Sequence, residues 1–330
     1  MLGCPTRKIC VRSIEGVVAS LLALAMATSP DWVFAQSYPD RPIRFIVPFA
    51  AGGAGDITAR VIAPRLAESL GQQVVVDNRP GAGSIIGTNF VAKSPPDGYT
   101  ILLANVAFGA LPALHRKLPY DPVKDFAAVS LVNFAPHVLL VHPSLPVKTT
   151  KELIALAKAR PGQINYSSAG IGSSNHLNAE LFRIDTGIDM VHVPYQGGAQ
   201  ALTALLSGEV QVDFAGTLVS LPHIQSGRAR ALAITSTKRM AILPDVPTLA
   251  EAAVPGFEFL AWHGVLVRAG TSNEIIETLN RAINQALAQP DIADRMAGLG
   301  VESTGSTPAQ MANRIKVESE KWKETLKPVD

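Results

Sequence analysis

Cysteine is nearly absent: the chain has two, Cys4 and Cys10, and none in the rest of its length. Both precede an uncharged apolar run, Val17 to Met26, which follows Arg7, Lys8 and Arg12 and gives way to the small-residue stretch "VFA" before Gln36. That order predicts a secretory leader over residues 1–35, cleaved near Ala35/Gln36, with an apolar core too short to span a bilayer. A buried N-terminal helix would leave the charged flank and the exit as coincidences. Cleavage would remove both thiols, and their place upstream of the apolar core does not suit lipid attachment at the cleavage point. The mature chain is therefore expected to lack disulfides, thiolate-bound zinc and any cysteine nucleophile. Export to the periplasm rests on the leader alone.

Charge is scarce as well, at 17% of residues. Without residues 1–35 the chain carries 26 basic and 25 acidic residues, a net charge near +1 with no Lys/Arg cluster. This excludes the electrostatic footprint of a nucleic-acid binder. The seven histidines, His115, His137, His142, His176, His192, His223 and His263, show no H-x-x-x-H or H-E-x-x-H spacing. No metal site is predicted, and most of them read as structural. A G-x-x-x-x-G-K-[ST] phosphate loop is missing, as are heptads, low-complexity tracts and fixed-period repeats.

What is present is alternation. Residues 36–330 suffice for two core-bearing domains of ~100–200 residues each, and a 47% hydrophobic share suits large buried sheets. From Ile43, "IRFIVPF" precedes "ITARVIAPRLAESLG", whose Ile57, Val61, Ile62 and Leu66 form an apolar stripe ended by Gly71. "QVVVDN" then precedes "RPGAGSIIGTNFVAK", and "YTILLAN" precedes "VAFGALPALHR". A second series follows "VSLVNFAPHVLLVHPS", and terminal helices are expected at Ser272 to Ala288 and Pro308 to Leu326. The pattern predicts an α/β fold of two lobes, each a mainly parallel sheet flanked by helices, joined by hinge strands. Lobe 1 is expected at residues 36–139 plus 256–330 and lobe 2 at 140–255. Ligands of such sheets bind outside the carboxyl ends of the strands.

Three Gly-rich turns sit at strand-to-helix junctions. The first places Gly52, Gly53 and Gly55 before Asp56 and Thr58, so that backbone N–H groups approach a ligand at a helix start that favours an anion. A tight turn with Asp56 as an ordinary cap is the plainer reading. The second, "NRPGAGSIIG", spaces Gly81, Gly83 and Gly87 as G-x-G-x-x-x-G. It is an imperfect dinucleotide fingerprint, on the wrong turn and without the ribose-binding acid about 20 residues on. The third, "YSSAGIGSSNHL", sets Ser167, Ser168, Gly170, Gly172, Ser173 and Ser174 before a helix carrying His176. Hydroxyls and N–H groups there can hold a carboxylate without a cation. No G-x-S-x-G elbow surrounds the serines, and no catalytic residue is assigned.

Asp213, in "VQVDFAG", reads either as a site acid at a strand end or as an edge carboxylate, and Phe49 and Trp262 either as pocket or as core. Facing helix starts in two lobes, together with an export signal, favour a clamshell solute receptor over an enzyme, with no cofactor. The alternatives are an exported α/β enzyme binding a phosphorylated cofactor and a ligand sensor for a membrane signalling partner.

The stretches "YPDRPIRFIVPFAAGGAGD", "NRPGAG", "SPPDGYT", "HVPYQGGAQALTALLSGEVQ", "LPHIQSGRARALAITSTKR" and "LPDVPTLAEA" stand in the order of the tripartite tricarboxylate transporter receptor family, the Bug-type periplasmic binding proteins. The chain resembles that family over nearly all of residues 36–330. The resemblance implies a type II periplasmic-binding-protein fold, a monomer that does not span the membrane, a small carboxylate ligand such as a dicarboxylate or aromatic acid, and integral-membrane transporter subunits as partners. It implies ligand contacts from Phe49, Ala51, Gly52, Gly53 and Asp56, from Gly83 and Ser84, and from Ala104 and Asn105. In the second lobe it implies contacts from Ser168, Gly170, Gly172, Ser173, Ser174, His176, Tyr195 and Asp213. The carboxylate is expected to meet backbone groups and ordered water. Ser84 replaces a usual glycine, Ile85 a small or polar residue, and Ala215 an acid, with Asp213 standing before Phe214 instead; these departures bear on which acid is bound.

Overall fold

The computed structural model describes residues 1–3 and 38–326. The leader beyond Gly3, with its cleavage point, lies outside the described residues. By contacts the chain divides into Met1–Tyr38 and Pro39–Asp330, and the fold below is that of the second unit.

Strand β1 (Ile43–Val47) is buried at four of its five positions because it pairs on both edges, parallel to β2 (Val74–Asn78) and to β3 (Thr100–Asn105). Helices α1 (Ala54–Leu70) and α2 (Ile85–Ala92) make the crossovers. Val61, Ile62 and Leu66 of α1 are buried as the apolar stripe requires, and the helix stops at Gly71, whose φ of 66° lies in the left-handed region that a Cβ disfavours. After β3, Asn105 caps α3 (Val106–Leu114).

The long strand β4 (Phe126–Val141) belongs to both halves of the molecule. Its first part pairs antiparallel with β9 (Leu260–Arg268) and with the short β10 (Glu302–Ser303). Its last part pairs antiparallel with β7 (Val212–Gly216) and β8 (Arg230–Ile234). Beyond β7 lie β5 (Asn165–Ser168) and β6 (Val191–Pro194), both in parallel pairings. Helices α4 (Thr150–Ala159), α5 (Ser174–Thr186), α6 (Gly198–Leu206) and α7 (Thr217–Gln225) serve this half, and α8 (Leu249–Ala252) precedes the return. The parallel pairing expected from alternation thus holds for β2-β1-β3 and for β7-β5-β6. It gives way at the centre, where β9 arrives from the second half, inserts between β3 and β4 and runs against both.

The terminal helices α9 (Asn273–Leu287), α10 (Pro290–Gly298) and α11 (Pro308–Thr325) pack on the first half. Ser69 of α1 bonds Gln285 at 3.1 Å and Arg65 reaches Asp291 at 3.0 Å. Trp322 is fully buried beside Phe259, and its indole N–H donates to Glu318 at 2.9 Å. Burying an aromatic ring of this size contributes about 2–3 kcal/mol, with the polar N–H satisfied.

Candidate ligand-binding site

Where β1 and β3 end, beside the stretches of β4 and β9 that join the halves, the lobes meet around a narrow cavity that is partly open to solvent. Strand alternation makes its floor. Ala135 and His137 stand two apart on β4, Ala261 and His263 two apart on β9, and Asn105 of β3 is in register with His263.

The walls are helix starts. Gly53, Ala54 and Gly55 open α1, Asn105 caps α3, Ser173 caps α5, Gly198 opens α6 and Gly216 caps α7, and all of them line the cavity. Asn105 and Ser173 spend their side chains on their own helices, accepting from the N–H groups of Ala107 at 3.0 Å and His176 at 3.4 Å. Gly53, Gly197 and Gly216 offer no side-chain cap, so the first-turn N–H groups of α1, α6 and α7 keep their capacity for an outside acceptor. Three uncapped helix starts aimed at one space favour an anion there.

Among the described residues, no Lys or Arg lines the cavity. Its titratable groups are the two histidines, and burial drives both down to about 4, leaving them neutral at pH 7. His137 Nε2 lies 3.0 Å from Ser174 Oγ. His263 Nδ1 lies 2.9 Å from Asn133 Oδ1, whose amide in turn donates to Thr58 Oγ1 at 3.2 Å.

A second, roomier recess of about 380 Å³, also open to solvent, adjoins the first across Phe49 and Ala169. The turn Gly81 to Ser84 faces Ala169, Gly170 and Ile171, with Pro194, Tyr195 and Gln196 alongside. Here Ala82 and Ser84 hold positive φ of 48° and 91° without being glycine, a strain of order 1–2 kcal/mol each. The lobes touch closely: a Cβ on Gly83 would sit 2.0 Å from the Ile171 carbonyl oxygen, and one on Gly197 2.9 Å from Ala50 Cβ.

Of the residues singled out from sequence, Phe49, Gly53, Asn105, Ser173 and Ser174 line the inner cavity, and Gly83, Ser84, Gly170 and Tyr195 line the outer recess. The Tyr195 hydroxyl is spent on Glu209 at 2.7 Å. Ala51 is exposed, and Gly52 borders a separate recess near Ala199.

The others stand behind the walls. Asp56 is buried and shapes its turn, accepting from Gly52 N at 2.9 Å and pairing with Arg60 at 2.9 Å. Burial alone would raise its pKa, but the hydrogen bonds from Arg60, Gly52 and Asn78 outweigh that and keep the carboxyl below its ordinary range. Ala104 is buried in β3, and Gly172 packs against Leu111 and Leu114 of α3. Ser168 bonds His192 Nε2 at 2.6 Å, and His176 Nδ1 accepts from Gly172 N at 3.3 Å, so both brace the third turn from behind. Asp213 is neither a lining acid nor an edge carboxylate. It is fully buried, with Oδ1 accepting from the cavity-lining Asn175 at 2.9 Å and Oδ2 unpartnered, and burial pushes it up to about 7. Trp262 packs in the core, its side chain pointing away from His263's face.

Sequence reasoning missed the floor. Most of the histidines read as structural from spacing alone, and nothing in that spacing singles out His137, His263, Ala135, Ala261 or Val219. The available signal was period two: "APH" on β4 and "AWH" on β9 each put a small residue and a histidine on one face.

Residues 58–330 match the family described as tripartite tricarboxylate transporter family receptor, TctC. The protein BugT of Bordetella pertussis is 41% identical over 310 residues, 93% of this chain and 94% of BugT. Solved structures superpose at a TM-score of 0.84 over 87% of this chain. Among them are the periplasmic binding protein BugD, 36% identical and 97% covered, and an R. palustris protein solved with adipate, also 36% identical and 97% covered. MatC from Rhodopseudomonas palustris, with bound malate, is 33% identical and 99% covered.

Proposed function

The chain belongs to the tripartite tricarboxylate transporter receptor family, and we propose that it captures a small organic carboxylate between its lobes and delivers it to integral-membrane transporter subunits. The observation that carries this reading is the cavity lining: uncapped helix starts from both lobes converge on a space that no Lys or Arg among the described residues lines. Such a site holds an anion by fixed dipoles and N–H donors. The adipate and malate of the two R. palustris proteins make dicarboxylates the class to test first.

In this reading residues 36–139 with 256–330 form lobe 1 and 140–255 form lobe 2, and the strands that pass between them act as hinges. The leader sends the chain to the periplasm, where it works as a monomer. No bond is made or broken. The Ser174–His137 contact resembles a nucleophile and base, but His137 Nδ1 has no carboxylate partner to orient the ring.

A thermal-shift screen of the Gln36 to Asp330 protein, stripped of carried-over ligand, tests the reading. A true ligand at ~100 times its Kd adds about 2.7 kcal/mol of stability. The expected result is a saturable shift with a dicarboxylate recovered unchanged. A shift with nucleotides alone would return the molecule to the enzymatic alternative.

A further inference from the structure

The geometry points to His263 as the counter-charge that the cavity otherwise lacks: a dicarboxylate binds together with one solvent proton, which is held between a carboxylate oxygen and His263 Nε2. This rests on the carboxylate reading above. In balance, the neutral imidazole, one proton from solvent and the ligand dianion give an imidazolium–carboxylate pair.

The argument starts from the tautomer. Nδ1 of His263 faces Asn133 Oδ1 at 2.9 Å, and the Asn133 amide nitrogen is occupied by Thr58 Oγ1, so the ring's proton sits on Nδ1. Nε2 then presents a bare lone pair. It has no hydrogen-bond partner among the described residues, and His263 lines the cavity with Nε2 close to where Gly55 opens α1. A carboxylate oxygen and an imidazole lone pair repel each other unless a hydrogen stands between them. Helix starts supply partial positive charge for one carboxylate, but a dianion placed in this lining meets no whole positive charge.

The protein's other ionisable groups do not fill that need. His137 on β4 already has its Nε2 on Ser174. Asp56 on α1 is engaged by Gly52 and Arg60, and Asp213 lies behind Asn175 in the second lobe. On α11, Arg314 is paired with Glu318 at 3.0 Å and lies over Phe134, while β3 brings only Asn105. Burial holds the free His263 well below neutrality, so the proton is absent before binding, and a carboxylate at hydrogen-bond distance reverses that preference.

The test is titration calorimetry with adipate and with malate at pH 6.5–8, in buffers of different ionisation enthalpy. The expected result is uptake approaching one proton per adipate and an affinity that falls by up to about tenfold per pH unit as pH rises. His263→Gln should lose both the uptake and the pH slope and bind adipate at least about tenfold more weakly at pH 6.5. In case that variant does not fold, the imidazole resonances of the wild-type protein should show one histidine passing from the Nδ1–H neutral form to the imidazolium on adding adipate at pH 7. Buffer-independent heats, an unchanged imidazole, or uptake that survives His263→Gln would overturn the inference while leaving the receptor reading intact. If no carboxylate binds at any pH, the receptor reading falls and takes this inference with it.

Discussion

The two lobes bring helix starts to one cavity by opposite means. In the first lobe backbone conformation does most of the shaping, with the buried Asp56 side chain pinning the first turn at Gly52 N. The N-cap Gly53 has no side chain to offer, and the Gly81 to Ser84 turn runs through three further residues at positive φ after Gly81 itself. In the second lobe a side-chain network props the turn from behind. Ser168 joins His192, His192 stacks on Tyr166 at 4.9 Å, and the Tyr166 hydroxyl donates to Glu180 at 2.6 Å, which pairs with Arg183 at 2.7 Å. A backbone-shaped turn tolerates no added atom, whereas a network-shaped one tolerates no missing partner.

The sharpest way to separate the two is the strained member of the second lobe, Asp213. Burial pushes it up to about 7 from the ordinary 3.8 that it has in the unfolded chain. Between those values the unfolded chain has released its proton and the folded one has not, so this group makes stability fall as pH rises from about 4 to 7. Three pKa units correspond to roughly 4 kcal/mol. Asp213→Asn keeps an acceptor for Asn175 and carries no charge. It should therefore exceed the wild type in urea stability at pH 8 by several kcal/mol, with the gap closing near pH 4. His137, His192 and His263, all depressed by burial, lose stability in the other direction as pH falls through 6.5 toward 4. They are common to both proteins and cancel in the difference. An equal gap at both pH values would show that folding does not raise the Asp213 carboxyl above its ordinary range.

For the first lobe the matching experiment adds an atom. Gly83→Ala places a Cβ 2.0 Å from the Ile171 carbonyl oxygen of the other lobe, at a φ of 60°. In the hinge reading proposed above, this clash belongs to the closed arrangement and opening relieves it. Affinity for the carboxylate identified by thermal shift should drop by about 100-fold or more, roughly 2.7 kcal/mol, while the stability without ligand falls only by the local strain of about 1–2 kcal/mol. Binding within a few-fold of wild type would mean that this turn does not govern closure.

Much of this is legible in the sequence, and the limit has a physical cause. Alternation of short β-rich runs with amphipathic segments set out the elements, and Gly52, Gly81 and Gly83 marked turns because only a residue without Cβ enters the left-handed region cheaply. The serine-rich turn showed itself as a helix start, and Ser173 does cap α5. The antiparallel insertion of β9 was not legible, since strand order is decided by pairings far apart in sequence. His137 and His263 were missed for the same reason. Spacing tests find ligands that share one helix, whereas these two share a cavity floor only because Ala261 of β9 pairs with Ala135 of β4. Nor does a turn's sequence say which polar residue faces the cavity and which braces it, so Ser174 and His176, two apart, fall on opposite sides.

The bracing role gives the mildest expected effect. Ser168→Ala removes the partner of His192 Nε2 and the acceptor of the Gly170 N–H, while no atom that lines either recess is lost. An unmet buried polar group costs about 1–3 kcal/mol, and the loosened turn still carries its helix start. Stability should therefore fall by about 1–2 kcal/mol, and affinity by less than about tenfold. A Ser168→Thr variant, which keeps the hydroxyl, should recover most of the affinity if the hydroxyl braces the turn. If Ser168→Ala instead weakened binding as severely as Gly83→Ala while leaving stability unchanged, the hydroxyl would have to reach the ligand directly, and the division into a backbone-shaped lobe and a network-shaped lobe would fail.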